Sequence, residues 1–251
     1  MNEQKFTGKA DLYEKFRPSY PDELIDFLYE KTQCAGARCD SVADIGAGTG
    51  KFTRCLLKKP WRVTAVEPND DMRSKLAAIK GITIVNAPAE NTGLADKSVG
   101  LVTTAQAFHW FDEDKFKAEC KRILTENGQL AIVFNERNLK DCAISRVRDG
   151  ICMRYCGAYH SGHVGKRTNE EGAAFLKNEY FSEMKSFTAE NNIEMDERSF
   201  IGDTLSRSYA IGEDNENYGR FVGELRDAFA KHENGGTVTI KYTAACYLGR
   251  F

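Results

Sequence analysis

An α/β fold with a mostly parallel sheet is what this sequence predicts, and three observations predict it. The stretch Ser41–Thr53, SVADIGAGTGKFT, passes from a strand-like apolar run through Gly46, Gly48 and Gly50 into an amphipathic pattern with Phe52, Leu56 and Leu57 at helical spacing. Strand-like runs at Val63–Val66, Ile82–Val85, Val99–Thr104 and Gln129–Phe134 then alternate with helical ones. A length of 251 residues suffices for one sizeable core and points to a single domain.

Composition narrows the function classes. Hydrophobic residues at 41% and charged ones at 29% suit an ordinary globular chain. A net charge of -2 and a pI near 6.2 argue against a nucleic-acid partner, which needs a basic face. The N-terminal run MNEQKFTGKADLYEK has no apolar core of signal-peptide length, and no run reaches the roughly 18 apolar residues of a membrane span. Eight scattered cysteines without a disulfide framework read as reduced thiols, so the expected location is cytoplasmic. The expected partner is a small molecule, with monomer and homodimer both open.

The glycine turn lets a ligand lie against bare backbone, and the helix after it presents unpaired N–H groups. A dinucleotide fingerprint would need its third glycine at position 51, where this chain has Lys51. With Asp44 two residues ahead of Gly46, the stretch instead resembles motif I of the class I S-adenosylmethionine-dependent methyltransferases. The second strand ends in Glu67, which can accept hydrogen bonds from both hydroxyls of a ribose. Glu67, Pro68 and Met72 together resemble motif II of the same family, with Met72 beside the adenine; by itself Met72 could equally be a core methionine.

That resemblance implies a Rossmann-like seven-stranded sheet, mostly parallel with one antiparallel strand, helices on both faces and a helical lid insertion. It implies S-adenosyl-L-methionine as cofactor and S-adenosyl-L-homocysteine as product. Cofactor contacts would come from Asp44, Gly46, Ala47, Gly48, Gly50, Glu67, Pro68, Met72, Ala89, Glu90, Ala105 and Gln106. The alternatives are a nicotinamide-dependent oxidoreductase and an inactive nucleoside-cofactor-binding protein.

The N-terminal cap, 1–34, contains Tyr13, Arg17-Pro18 and Tyr20-Pro21, which resemble a Y-x3-RPxYP segment that folds over the cofactor. Tyr13 is then a catalytic candidate, and Arg17 and Tyr20 line the substrate side; the tyrosines could also simply pack, and Arg17 could pair with a surface carboxylate. Pro21, Asp22 and Glu23 mark a helix start, followed by the apolar face Leu24, Ile25, Phe27 and Leu28. A helix is expected over 70–80. In the stretch resembling GDAExLPFxDxSFDLV, Pro88 replaces an acidic acceptor for the adenine amino group, and Gly100 replaces the aspartate of SFDLV.

The fourth strand runs into Ala105-Gln106-Ala107-Phe108-His109-Trp110-Phe111, and carboxyl ends of strands in open α/β sheets are where ligands bind. His109 is a candidate catalytic base, Trp110 a substrate wall, and QAFHWF resembles the branch related to the trans-aconitate enzymes. A helix is expected over 112–126, with Asn127-Gly128 turning left-handed into strand five. The core, about 35–137 and 181–251, is interrupted by the expected lid insertion, about 138–180. There Cys152, Cys156, His160 and His163 sit at spacings zinc could use, but cysteines four apart on one buried helix face is the favoured reading, with no metal expected. Ser186–Met195 and Thr237–Leu248 should form the antiparallel hairpin closing the sheet. Between them, Ser206–Tyr209 resembles the same branch, where Arg207 could hold a substrate carboxylate and Tyr209 line the site.

Methyl transfer from a sulfonium is an in-line displacement, so the protein must align the reactants and exclude water. A carboxylate acceptor needs no base; a hydroxyl needs one such as His109.

Overall fold

The computed structural model describes residues 7–33, 40–157, 163–164 and 167–251. Seven strands make the main sheet: β1 Ser41–Ile45, β2 Arg62–Val66, β3 Ile82–Val85, β4 Val99–Ala105, β5 Leu124–Arg137, β6 Glu183–Glu190 and β7 Tyr242–Arg250. Their order is β3-β2-β1-β4-β5-β7-β6, parallel throughout except β7, which runs antiparallel to both of its neighbours. The order reverses between β1 and β4, and a crevice opens at the carboxyl ends of strands on either side of such a reversal.

Both faces of the sheet are covered, which is why the central strands are apolar on both sides. On one face α2 (Asp22–Gln33) and α3 (Lys51–Leu56) bury Leu24, Ile25, Leu28, Phe52 and Leu56 against Val42, Leu101 and Val133. On the other, α5 (Glu113–Ile123) buries Phe116, Cys120 and Ile123 against Ala43, Ile45, Val102, Leu130 and Ile132. The N-terminal α1 (Ala10–Phe16) and the short α4 (Asp70–Leu76) flank the carboxyl edge.

A third apolar cluster lies at the end of the sheet, reaching it through Tyr242 of β7. It joins α6 (Ala143–Tyr155), α8 (Glu197–Leu205) and α9 (Tyr218–His232) through Ile151, Cys152, Phe200, Phe221, Leu225 and Phe229. The helical layer therefore draws on two insertions, one before β6 and one between β6 and β7. Between α6 and β6 lies α7 (Asn169–Phe175), continued by a π-type turn over Leu176–Tyr180.

Four local expectations are corrected. The helix expected over 112–126 stops at Ile123, because Leu124 pairs with Val99 and a register shift before Leu101 and Gln129 absorbs the irregularity. Asn127 is not left-handed: among the described non-glycine residues, positive φ occurs at Lys97 and Gln106. The helix expected over 70–80 ends at Leu76, with Gly81 turning at φ +82° into β3. The closing hairpin is split, since Ile193–Met195 and Val238–Ile240 pair with each other in a separate two-stranded sheet. Among the described residues no helix is long and apolar enough to cross a membrane.

Candidate functional site

The crevice holds a cleft of about 190 Å³. Its floor is Asp44, Gly46, Ala47 and Gly48 at the end of β1, with Lys51 and Phe52 opening α3. One wall is Glu67, Pro68, Asn69 and Met72 after β2, continued by Pro88, Ala89 and Glu90 after β3. The other is Ala105, Gln106, Ala107, Trp110 and Phe111 after β4, and Tyr13 and Tyr20 close it from the N-terminal segment.

The glycines act in different ways. Gly46 turns at φ +71°, and a Cβ on it would lie 2.6 Å from the Ala107 Cβ, so the turn lies directly against the end of β4. Gly50 turns at φ +84°, and a Cβ there would lie 2.3 Å from the Ile79 Cδ1, which makes its constraint one of packing. Gly48, at φ +58°, has open space where a Cβ would stand, so its surface belongs to the cleft.

Glu67 couples two loops. Its Oε2 accepts from the Gly48 N–H at 2.8 Å and its Oε1 from the Asn69 N–H at 2.9 Å. Each carboxylate oxygen keeps further acceptor capacity, so the group braces the cleft and can still receive hydroxyls. Asn69 in turn caps α4, accepting from the Met72 N–H at 3.0 Å, which fixes where the Met72 side chain enters the wall.

Asp44 is 1% exposed beneath the turn and accepts from the Thr53 hydroxyl at 2.6 Å and the Thr103 hydroxyl at 3.0 Å. Burial raises its carboxyl to about 6, against the downward pull of the two hydroxyls. Across the cleft, Glu90 accepts from the Asp112 N–H at 2.8 Å and so ties the loop after β3 to the start of α5.

Gln106 holds φ +56°, an uncommon conformation for a residue with a side chain and one that clusters at functional sites. Its backbone N–H donates to Val133 O at 2.9 Å and its side-chain amide donates to Asn135 O at 2.8 Å. The Asn135 side chain donates to Ser19 O at 3.0 Å, and Asn191 donates to the same carbonyl at 2.8 Å. These amides pin the segment around Arg17–Pro21 across the ends of β4 and β5. Tyr20 is then held edge-on to Phe52, ring centroids 4.9 Å apart.

The cleft thus brings together every cofactor candidate except Gly50, along with Tyr13, Tyr20 and Trp110. Four other candidates do not line it. His109 sits on a 3-10 turn, Phe108–Trp110, with its ring 4.7 Å from that of Trp110. Arg17 lies one layer behind, its guanidinium 5.0 Å from the Tyr13 ring centroid. Arg207 is buried in the helical layer because Asp203, one turn earlier, captures it at 2.8 Å, and Tyr209 packs against the same apolar cluster. Sequence reasoning passed over Lys51, Phe52, Asn69, Ala107 and Phe111 as lining residues. Asn69 was findable as an N-cap before an acidic first turn; Phe52 read only as a helix-face residue.

Cys152 and Cys156 are both buried on the inner side of α6 and hydrogen-bonded to each other. His160 lies outside the described residues, as does the side chain of His163. No cluster of three or more metal-ligating side chains occurs among the described residues.

Residues 43–132 match the family model described as a methyltransferase domain. An uncharacterized methyltransferase of Mycobacterium tuberculosis is 40% identical over 134 residues, 53% of each chain. An uncharacterized methyltransferase-like protein of Schizosaccharomyces pombe is 35% identical over 141 residues, 53% of this chain and 52% of its own. The chain spans about half the length of these curated relatives. A solved protein from Anaeromyxobacter dehalogenans, provisionally assigned as a type II methyltransferase, superposes with a TM-score of 0.70 at 25% identity, covering 94% of this chain and 98% of its own.

Proposed function

We propose that this chain, whose core is a class I S-adenosylmethionine-dependent methyltransferase domain, transfers a methyl group from S-adenosyl-L-methionine to a small-molecule acceptor through a carboxylate or hydroxyl oxygen. The observation that carries the reading is the Glu67 carboxylate, held by the Gly48 and Asn69 N–H groups at the mouth of a turn whose Gly48 surface is open. A carboxylate so placed fits a ribose, and Met72, Pro88, Ala89 and Phe111 offer apolar walls to a flat base. Lys51, standing where a dinucleotide site needs its third glycine, weighs against the nicotinamide alternative.

When bound, S-adenosylmethionine supplies an already activated methyl group. What remains for the protein is orientation and dryness. Ala105 and Gln106 would border the methionine arm, and Tyr13, Tyr20 and Trp110 would shut water from the acceptor side. Burial pushes the Tyr13 phenol up, so at neutral pH it serves as a hydrogen-bond donor to the acceptor. A hydroxyl acceptor would draw on His109, which must turn from its place against Trp110 to reach the cleft. The buried free cysteines fit a reducing, cytoplasmic setting.

Calorimetric titration of the full chain with S-adenosylmethionine and with NAD decides the cofactor. Binding of the first and not the second is expected; the reverse overturns the reading. Release of S-adenosylhomocysteine with a panel of small acids, phenols and amines then tests the activity, and binding without turnover on any of them favours the inactive alternative.

A further inference from the structure

Asp203 is fully buried and three guanidinium groups face it. Arg148 Nη1 and Arg207 Nη2 each donate to its Oδ2 at 2.8 Å, and Arg17 Nη1 lies 4.0 Å from Oδ1. The Tyr242 hydroxyl donates to the same carboxylate at 3.3 Å. Three positive charges therefore meet one negative charge, and Arg148 is 0% exposed. The neighbouring groups do not redress the balance. Arg137 and Asp149 neutralise each other at 2.9 Å, and the half-buried Lys9 ammonium, bound to the Arg207 and Ala210 carbonyls, has the Cys156 thiol beside it, which the Cys152 hydrogen bond pulls down to about 7. Glu67 is turned to the cleft by its two backbone donors.

Donors are in excess as well. Arg148 Nε and Nη2, Arg207 Nε and Arg17 Nε are all buried without a protein acceptor. A buried guanidinium lacking both counter-charge and acceptors is among the costliest groups a fold can keep, and a bound oxyanion supplies both at once. The planar fork of arginine matches carboxylate and phosphoryl oxygens in pairs. Arg17 is the least buried of the three and stacks behind Tyr13, which lines the cleft, so the cluster adjoins the acceptor side.

We propose that the cluster of Arg17, Arg148 and Arg207, only partly neutralised by Asp203, is an anion site that recognises a carboxylate or phosphoryl group on the acceptor. This rests on the methyltransferase reading for the word acceptor, and not for the site. The three arginines come from the N-terminal segment, α6 and the turn after α8, so a ligand anion would also fasten the helical layer to the sheet.

The full chain is titrated with succinate, benzoate and inorganic phosphate, with succinamide and benzamide as neutral partners, both alone and with saturating S-adenosylhomocysteine. At least one oxyanion is expected to bind saturably and raise the melting temperature while its amide does not. Binding by phosphate alone marks a phosphoryl ligand, and by the acids alone a carboxylate. Arg148→Met is expected to weaken that binding tenfold or more with S-adenosylhomocysteine affinity within twofold, and Arg148→Lys to restore part of it. Should Arg148→Met fail to fold, Arg17→Met, at a partly exposed position, carries the same test. No oxyanion binding by the wild type, equal binding of acids and amides, or unchanged binding in the variants overturns the proposal. Failure to bind S-adenosylhomocysteine with oxyanion binding intact removes the methyltransferase reading and leaves the site.

Discussion

Asp44 beneath the glycine turn and Asp203 in the helical layer are both buried to within 1% of their surface, yet their acidities move in opposite directions. Asp44 has two threonine hydroxyls for company, and desolvation wins, lifting its carboxyl to about 6. Asp203 has Arg207, Arg148 and Arg17, and the guanidinium charges hold it well below the usual carboxylate range despite the same burial. The glycine-turn side of the molecule thus sets its carboxylates among hydroxyls and backbone N–H groups, and the helical layer sets its own among guanidiniums. Under the reading proposed above, the first would receive a ribose and base that are polar but uncharged, and the second an ion.

Removing the negative member of the charged side should do the most damage. Asp203→Asn strands its arginines and is expected to cost about 3–5 kcal/mol, read as a fall in urea midpoint and melting temperature. A loss below about 1 kcal/mol would mean the guanidiniums are already neutralised by something else.

The contrast in acidity makes a second test. A carboxyl raised in the folded state binds more protons there than when unfolded, so Asp44 lowers stability as pH rises from about 4 to about 6 and its penalty is complete above that. A shift from 3.8 to about 6 corresponds to roughly 2–3 kcal/mol. Asp203 has the opposite sign: its contribution is present above the unfolded value and disappears as pH falls through its lowered folded value. Urea unfolding between pH 4 and 7 should show a steeper rise with pH in Asp44→Asn than in the wild type, because the opposing slope has been removed.

Glu67→Ala should weaken S-adenosylmethionine or S-adenosylhomocysteine binding tenfold to a hundredfold, about 1.4–2.7 kcal/mol, by calorimetry. Unchanged affinity would remove the ribose from this wall. The smallest effects separate the glycines. Gly50→Ala, crowding Ile79, should cost about 1–2 kcal/mol of stability, while Gly48→Ala, in open space, should cost about 1 kcal/mol or less and lose affinity instead.

The two sides also differ in how much of them could be read before the fold was known. Gly46 to Gly50 and Glu67 to Met72 are contiguous stretches in which neighbours in sequence are neighbours in space, so spacing alone conveys the geometry. The alternation of strand and helix periods pointed to a mostly parallel α/β sheet, while the strand order itself came only with the structure. The charged cluster joins residues 17, 148, 203, 207 and 242, and nothing local distinguishes Arg148 from a surface arginine on an amphipathic helix. Arg207 stood out by resemblance, but its capture by Asp203 depends on where the chain turns just after α8 ends at Leu205. The positive φ of Gln106 left no mark in its residue type, because the cost is met by tertiary hydrogen bonds. The helix end at Ile123 was misjudged because strand pairing of Leu124 with Val99, a long-range property, decided it, and the one at Leu76 because tight turns through Ile79 end the helix early.

The Ser19 carbonyl accepts amides from Asn135 and Asn191, partners 116 and 172 residues further along the chain. During synthesis that carbonyl emerges well before the groups that fasten it. The segment carrying Arg17 and Tyr20 must therefore wait undocked until β5 and β6 have been made, and the crevice is roofed only after those strands are in place.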